Sequence, residues 1–480
     1  MCSSDLGYVS FRLAGHLIYE VMPMRRVALI LAAFGAVILM ARATEAAPAS
    51  SAHLAQRHMI VAAEPDAAEA GLEMLRAGGS AIDAAIAAQM VLTLEEPQAS
   101  GIGGGSYLIV SDGTQLHAYD GRETAPASAR PDMFLDAAGH PRRFGEVIPG
   151  GLSVGVPGTV AVLAMAHKAH GKLPWARLFE PAIALAEKGF IVPPRLAIEL
   201  EEGGTRFSAM PDIRALFFGP DGAQLKQGQT WRNPKLAQTL RRIAQGGPDA
   251  FYKGAIASEI VNAVAKAPTN PTAMTLADIA GYTAKERAPL CGLYRAYRVC
   301  SVPPSTSGGT TVLQILGLLE HFPSARLQPR TLSAVHLISE ASRLAYADRA
   351  YWLGDPDFVT VPLQGLTDHA YLDMRGRMID PMRSMGLAKA GTPPMQKTEL
   401  LKYAPMRPQI EHGTSHLAVV DDRGEAVSMT TSVEAAFGAR ISAAGFILNN
   451  HLTDFSFEPV IDGMPVANAD RKSTRLNSSH

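Results

Sequence analysis

The chain has 480 residues, of which 47% are hydrophobic and 19% charged, a globular composition with enough apolar material for a large core. Its formal net charge of −1 provides no basic field that could hold nucleic acid or an anionic membrane surface. The composition therefore favours small-molecule chemistry over nucleic-acid binding.

The first 43 residues resemble a leader followed by a targeting sequence. A basic start at Met24 precedes an apolar run from Val27 to Met40, and Ala-Arg-Ala at 41–43 offers a cleavage site, as in a secretory signal peptide. The apolar run would span only about 21 Å as a helix, short of a bilayer core of about 30 Å. We expect a non-native leader over 1–21, a signal peptide over 22–43, a non-native tail over 471–480 and a periplasmic or secreted protein.

Two helices are predicted after the signal region. The first begins with Pro65 in its first turn and ends at Gly78. Ser80 opens the second helix with Asp83 three residues later, which is the pattern of a capping box. This Ala-rich helix runs through Leu94, and its small side chains permit close packing against a sheet.

A glycine-rich segment, SGIGGGS, spans residues 100–106 and suggests a nucleotide-binding loop at first sight. It follows a helix and precedes a strand, opposite to the dinucleotide fingerprint, and no Gly-Lys-Ser/Thr follows it. We interpret it as a tight turn where backbones approach closely. Residues 107–110 and 115–120 are then predicted to form a hairpin around the Asp112-Gly113 turn.

The order of helices, strands, more helices and strands predicts a layered α+β protein rather than regular βαβ alternation. Residues 391–413 are predicted to form an exposed linker. Of the three cysteines, Cys2 lies in the discounted leader. Cys291 and Cys300 flank a segment that could return on itself and allow a disulfide in an oxidising compartment. Two unpaired buried thiols fit the sequence equally well.

A second hairpin is predicted from strands at 414–421 and 426–432 around a loop that ends in Gly424. If Asp421 pairs with Glu425, the antiparallel register places Thr414 opposite Ser432.

A threonine hydroxyl is a weak nucleophile that needs a nearby base, and the local sequence has no Ser-His-Asp order. Cleavage after Gly413 would supply the α-amino group of Thr414, whose ordinary pKa of about 7.7–8.0 suits a base at neutral pH. Gly413 lacks a Cβ and would allow the hydroxyl to approach the scissile peptide. His412 and His416 have no intervening Glu and no third ligand, so we expect neither a metal nor another cofactor.

Several motifs together resemble the γ-glutamyltranspeptidase family of the N-terminal-nucleophile hydrolase superfamily. HGTSHLAVVD, FGARI and GFILNNHLTDFSF are similar to the start of its small subunit, and EPQASGIGGGSYLIV, DGRETAP and PPSTSGGTTVLQIL to its large subunit. The resemblance covers about residues 54–469. It implies a precursor cut into a large subunit (44–413) and a small subunit starting at Thr414 (414–470 here), which share a four-layer αββα sandwich.

The resemblance also implies the chemistry. A γ-glutamyl group would pass from glutathione or a similar γ-glutamyl amide to Thr414, and then to water or to an amino acid or peptide acceptor. Ser432 stands where the family usually has a second threonine that bonds to the nucleophile.

Four further residues match substrate-binding positions of the family. Arg122 matches the residue that holds the substrate α-carboxylate, which suits the guanidinium fork. Glu434 and Asp454 match contacts to the α-amino group. From the residues alone, a surface ion pair of Arg122 with Asp120 or Glu123, and solvated carboxylates at 434 and 454, are the alternatives. His451 replaces the usual glutamine or glutamate, and its protonated form would repel an ammonium, which lowers substrate affinity at acidic pH.

The family pattern also continues beyond Asn468 with a serine pair and a Gly-Gly oxyanion hole, which this C-terminally truncated sequence lacks. We therefore expect the 480 residues alone to be inactive and poorly folded, because one oxyanion donor is worth about 10²- to 10³-fold in rate. Two other functions remain open. One is a cephalosporin or glutaryl acylase of the same fold, and the other is an inactive exported binding protein.

Overall fold

The computed structural model describes residues 55–395, 403–407 and 413–469. The predicted leader, signal peptide and tail lie outside these residues. Contacts divide the chain into two units, Met1–Gln56 and Arg57–His480, and the second contains the elements below.

The strands of the described chain lie in one large sheet and several small ones. They are β1 (Met59–Val61), β2 (Gly105–Ser111), β3 (Leu116–Gly121), β4 (Phe190–Ile191), β5 (Thr230–Trp231), β6 (Lys285–Arg287), β7 (Leu290–Tyr294), β8 (Tyr297–Ser301), β9 (Ser415–Val420), β10 (Ala426–Ser432), β11 (Ser442–Ala443), β12 (Phe446–Ile447), β13 (Val460–Ile461) and β14 (Met464–Pro465).

Some of the α-helices pack against the large sheet, and others form a separate helical region. They are α1 (Pro65–Arg76), α2 (Ala81–Glu95), α3 (Phe144–Val147), α4 (Thr159–His170), α5 (Glu180–Lys188), α6 (Pro194–Ser208), α7 (Pro211–Phe217), α8 (Pro234–Gly246), α9 (Asp249–Tyr252), α10 (Ala255–Ala265), α11 (Leu276–Ala280), α12 (Gly308–Glu320), α13 (Leu332–Trp352), α14 (Leu363–Leu366) and α15 (His369–Gly376). Short 3₁₀ helices cover Gly151–Ser153, Trp175–Phe179, Ser324–Leu327 and His451–Asp454.

The large sheet is antiparallel, with the strand order β1-β9-β10-β2-β3-β6. The hairpin β9–β10 lies inside this sheet, with β1 on one side and β2 on the other. Ser415 pairs with Thr431 and Val420 with Ala426, which confirms the register predicted from the sequence. The loop closes where the amide of Asp421 donates to the carbonyl of Glu425 at 2.9 Å, and Gly424 there has a φ of +83°.

Helices α1 and α2 form as predicted, for local reasons. Pro65 lies in the first turn of α1, and Gly78 with a φ of +85° follows its end. Ser80 and Asp83 form the capping box of α2. Every residue of α2 is buried, because its small side chains let it pack between strands β9 and β10 and helices α1 and α5.

The glycine run before β2 brings backbones together, as expected from its sequence. A Cβ at Gly103 would overlap the carbonyl oxygen of Ile447, and one at Gly104 would overlap that of Ser432. The helix-glycine-strand order is also the observed one. These glycines therefore bring β10 and the segment after it against β2.

The combination of an antiparallel sheet with separate helical layers confirms the α+β prediction. Within the described residues, the sheets other than the large one have two strands each. The helices α12, α13 and α15 form an apolar cluster of their own around Leu318, Leu337 and Leu372. No helix among the described residues is long and apolar enough to cross a membrane.

Two sequence-based expectations concern the segments around this helical cluster. Cys291 on β7 faces Cys300 on β8, and a disulfide joins them. The predicted exposed linker is wrong for part of its length, since Tyr403, Ala404 and Met406 are buried. The amide of Ala404 donates to the carbonyl of Pro465 and the amide of Met406 to that of Ala350, each at 2.8 Å, which holds this segment against β14 and α13.

Candidate active site

The candidate nucleophile lies at the start of strand β9, beside the end of strand β10. The hydroxyl of Thr414 donates a hydrogen bond to the hydroxyl of Ser432 across the hairpin, with 3.1 Å between the oxygens. Thr414 is half-buried, whereas Ser432 is buried. The structure therefore places Thr414 and Ser432 together as the hairpin register predicted.

Ser432 also connects the candidate nucleophile to the chain that follows β10. Its Oγ accepts a hydrogen bond from the backbone amide of Glu434 at 2.9 Å. Glu434 has a φ of +80°, a backbone conformation that costs energy for a residue with a side chain. Because Gly104 packs directly against the carbonyl of Ser432, this turn has little room to move.

Arg122 directly follows strand β3 and forms the basic part of the site. Its side chain is 1% exposed and forms an ion pair with Asp454, and its Nε lies 3.7 Å from Glu123 Oε2. Burial acts to lower the pKa of Arg122, but the charges of Asp454 and Glu123 outweigh it and raise the pKa above its ordinary value. The alternative of a surface ion pair is wrong, since Arg122 is buried.

Asp120 has a different partner, although the sequence had suggested it as one for Arg122. Its Oδ2 accepts a hydrogen bond at 2.7 Å from the Nε of Arg287 on β6. Its Oδ1 accepts the backbone amide of Arg122 at 2.9 Å, and the hydroxyl of Tyr282 donates to the carbonyl of Arg122 at 2.7 Å. The backbone of Arg122 is thus held from both sides, which fixes where its guanidinium points.

Glu123 is a site residue that sequence reasoning treated only as a surface partner of Arg122. It is fully buried, and Oε1 lies 2.8 Å from Nδ1 of His451. Burial raises the pKa of Glu123 to about 8, although the charge of Arg122 opposes this. Glu123 is therefore a buried partner of the His451 ring. Only its position beside Arg122 in the sequence could have suggested this role.

His451, Glu434 and Asp454 complete the acidic side of the site. His451 is fully buried, with Nε2 3.6 Å from Oε2 of Glu434, so a carboxylate lies on each side of its ring. Glu434 and Asp454 are also buried, at 1% and 8% exposure. The alternative of solvated surface carboxylates is therefore wrong for both residues.

Two neighbouring asparagines hold the loops that carry these groups. The side-chain oxygen of Asn449 accepts the amides of Gly155 and His451, at 3.0 and 3.1 Å. The side-chain oxygen of Asn450 accepts the amide of Ala435 at 2.9 Å. Both asparagines are fully buried, so these hydrogen bonds position His451 and the turn after Ser432 in a rigid setting.

A metal ion is one alternative occupant of this group. Ligand atoms of Glu434, His451 and Asp454 all lie within 4.8 Å of one another. Asp454, however, already pairs with Arg122, and a cation there would compete with that guanidinium. Of the two histidines beside the candidate nucleophile, His416 bonds to the hydroxyl of Thr430 at 2.8 Å, and His412 lies outside the described residues.

A chain of contacts therefore leads from a threonine hydroxyl at a strand start to a buried guanidinium among carboxylates. An antiparallel sheet that carries such a threonine at the start of a strand is typical of the N-terminal-nucleophile hydrolases. A family model described as gamma-glutamyltranspeptidase matches residues 67–478. The chain belongs to the γ-glutamyltranspeptidase family, whose members are enzymes.

Individual relatives agree with this assignment. The chain is 38% identical over 408 residues to the glutathione hydrolase proenzyme of Escherichia coli K12, which covers 84% of this chain and 68% of that protein. The crystal structure of a cephalosporin acylase from Bacillus halodurans matches with a TM-score of 0.75 and 28% identity, over 91% of this chain and 76% of that one. The γ-glutamyltranspeptidase of Helicobacter pylori matches with a TM-score of 0.68 and 34% identity, over 73% and 99%.

Proposed function

We propose that this protein is a glutathione hydrolase and γ-glutamyltransferase that matures by cutting itself between Gly413 and Thr414. In the cut, the hydroxyl oxygen of Thr414 attacks the carbonyl carbon of Gly413, the C–N bond breaks, and the nitrogen takes a proton. Water then hydrolyses the ester. The products are a Gly413 carboxylate at the end of the large subunit and a free amine on Thr414 at the start of the small one.

The same hydroxyl then acts on the donor. The free α-amino group of Thr414 accepts its proton, the oxygen attacks the δ-carbonyl carbon of the γ-glutamyl group, and the departing amine takes the proton away. Water, or an amino acid or peptide with a free amino group, resolves the resulting ester. The hydrogen bond of 3.1 Å between Thr414 and Ser432 supports this role, since it orients the attacking oxygen.

The observation that best supports a γ-glutamyl donor is the charge pattern at Arg122. A γ-glutamyl group ends in a carboxylate and an ammonium on one carbon, and the buried pair of Arg122 and Asp454 offers the complementary charges. We expect the donor carboxylate to replace Asp454 on the guanidinium, which frees Asp454 to accept the ammonium. Glu434 lies near His451 on the same side and adds negative charge for that ammonium.

An acylase that removes a glutaryl group is the second candidate, and the match to the Bacillus halodurans cephalosporin acylase favours it. A glutaryl group has a carboxylate but no ammonium. If it displaced Asp454 from Arg122, the carboxylates of Asp454 and Glu434 would be left buried without a cation, which is costly. The site therefore favours the γ-glutamyl donor.

Two measurements test the proposal. A denaturing gel with N-terminal sequencing of the full-length protein should show a fragment starting at Thr414 for the wild type and an uncut Thr414→Ala variant. A wild type that stays uncut would instead support an exported binding protein. Hydrolysis of γ-glutamyl-p-nitroanilide should then exceed that of the glutaryl analogue, and Asp454→Asn should reduce this preference. A faster glutaryl reaction would support the acylase.

We also propose that the protein is exported to the periplasm or secreted. The signal-like sequence at 22–43 supports export, and the disulfide between Cys291 and Cys300 suits an oxidising compartment. Cell fractionation with N-terminal sequencing of the large subunit tests this. A cytoplasmic protein that retains residues 22–43 would contradict it.

A further inference from the structure

We infer that Arg195 and Glu96 are positioning residues for cutting the precursor, because together they hold both sides of the bond between Gly413 and Thr414. The inference rests on the proposed cleavage at this bond. Neither residue belongs to the group around Arg122, and neither role depends on the donor substrate.

On the small-subunit side, the anchor is Ser415, the residue next to the nucleophile. Its hydroxyl donates to Oε2 of Glu96, a carboxylate that is 1% exposed. Ser415 also pairs with Thr431 in the hairpin, so both its backbone and its side chain are held. Ser415, the residue that directly follows Thr414, is therefore fixed from two directions.

On the large-subunit side, the anchor is the guanidinium of Arg195 near the start of α6. Its Nη2 lies 3.0 Å from the point that a Cβ of Gly413 would occupy. Its Nη1 lies 3.4 Å from Oε1 of Glu96. The carboxylate of Glu96 thus contacts Ser415, which follows Thr414. It also contacts Arg195, which packs against Gly413.

Glu96 is well placed to be a rigid support. It is the C-terminal cap of α2, and its carbonyl accepts the amides of Ala99 and Ser100 at 2.9 and 3.0 Å. Gln98 adds a contact of 3.4 Å to its Oε1. The charges of Glu96 and Arg195 also act on a nearby carboxylate. Burial, followed by the charge of Glu96, raises the pKa of Glu64 to about 7, whereas the charge of Arg195 opposes the rise.

Gly413 needs such support for a physical reason. A glycine has more backbone freedom than any other residue, and ordering one residue costs about 1–2 kcal/mol of conformational entropy. Intramolecular attack also requires the hydroxyl and the carbonyl carbon in a near-attack geometry, where a misplacement of about 1 Å can cost 10²-fold in rate. Side chains that hold both neighbours of the bond supply that geometry before the reaction.

The test measures cutting and catalysis separately on the proenzyme. Purified full-length precursor is followed on a denaturing gel, and the turnover of γ-glutamyl-p-nitroanilide is expressed per N-terminal threonine. We expect Arg195→Gln and Glu96→Gln to slow cutting at least about tenfold, while kcat of the cut fraction stays within about twofold of wild type. Arg195→Lys should restore part of the rate because it keeps the charge. The matched control is Arg242→Gln, at an exposed arginine of α8.

Each outcome is decisive. Cutting of Arg195→Gln at the wild-type rate would overturn the inference, and so would a parallel fall in cutting and in kcat, which would indicate general damage to the fold. A far-ultraviolet circular dichroism spectrum and melting temperature matched to wild type exclude misfolding as the cause of slow cutting. A wild type that is never cut would instead refute the proposed function, and this inference with it.

Discussion

Ser432 is the residue whose removal tests most directly how the nucleophile is oriented. Ser432→Ala removes the 3.1 Å hydrogen bond from Thr414 and the 2.9 Å bond from the amide of Glu434. Each is worth about 0.5–1.5 kcal/mol, so the two together are worth about 1–3 kcal/mol. Since about 1.4 kcal/mol is tenfold in rate, we expect kcat/KM to fall by about 5- to 150-fold.

The assay is steady-state hydrolysis of γ-glutamyl-p-nitroanilide, expressed per N-terminal threonine so that slow cutting does not count as slow turnover. Ser432→Thr keeps the hydroxyl and places the residue that the family usually has at this position, so it should stay within about threefold of wild type. If Ser432→Ala is within twofold of wild type, the hydrogen bond does not orient the nucleophile and the reasoning is refuted.

Three other predictions follow from buried charges. Burial and the charge of Asp66 raise the pKa of Glu95 to about 9, so the folded protein holds a proton there that the unfolded chain loses above about 4.3. This group alone should make the free energy of unfolding fall by up to about 1.4 kcal/mol per pH unit as the pH rises toward 9, and Glu95→Gln should flatten the fall. Urea titrations that give the same pH dependence for wild type and variant would contradict this. KM of the donor should rise from pH 8 to pH 5 because protonated His451 opposes the ammonium, and His451→Gln should be flatter; superimposable profiles would rule the effect out. EDTA should leave turnover unchanged, since Asp454 already pairs with a guanidinium; a loss that added zinc restores would show that the acidic group binds metal.

The sequence alone determined those features that depend on near neighbours in the chain. The capping box of Ser80 and Asp83 and the β9–β10 register depend on backbone geometry over a few residues, so both were predictable. The register also placed Thr414 opposite Ser432. The family resemblance added the positions that we propose to bind the substrate, which no local pattern indicates.

The tertiary structure decided which charges are buried and which meet. Arg122 and Asp454 are far apart in the chain, and whether they form a surface pair or a buried one depends on how the segment after β10 packs on β3. The same packing places Glu123 against His451 and, at the other end of the site, Glu96 against Ser415. Burial and partner choice are properties of the whole fold, because desolvation and Coulomb energies depend on distances in space rather than on spacing along the chain.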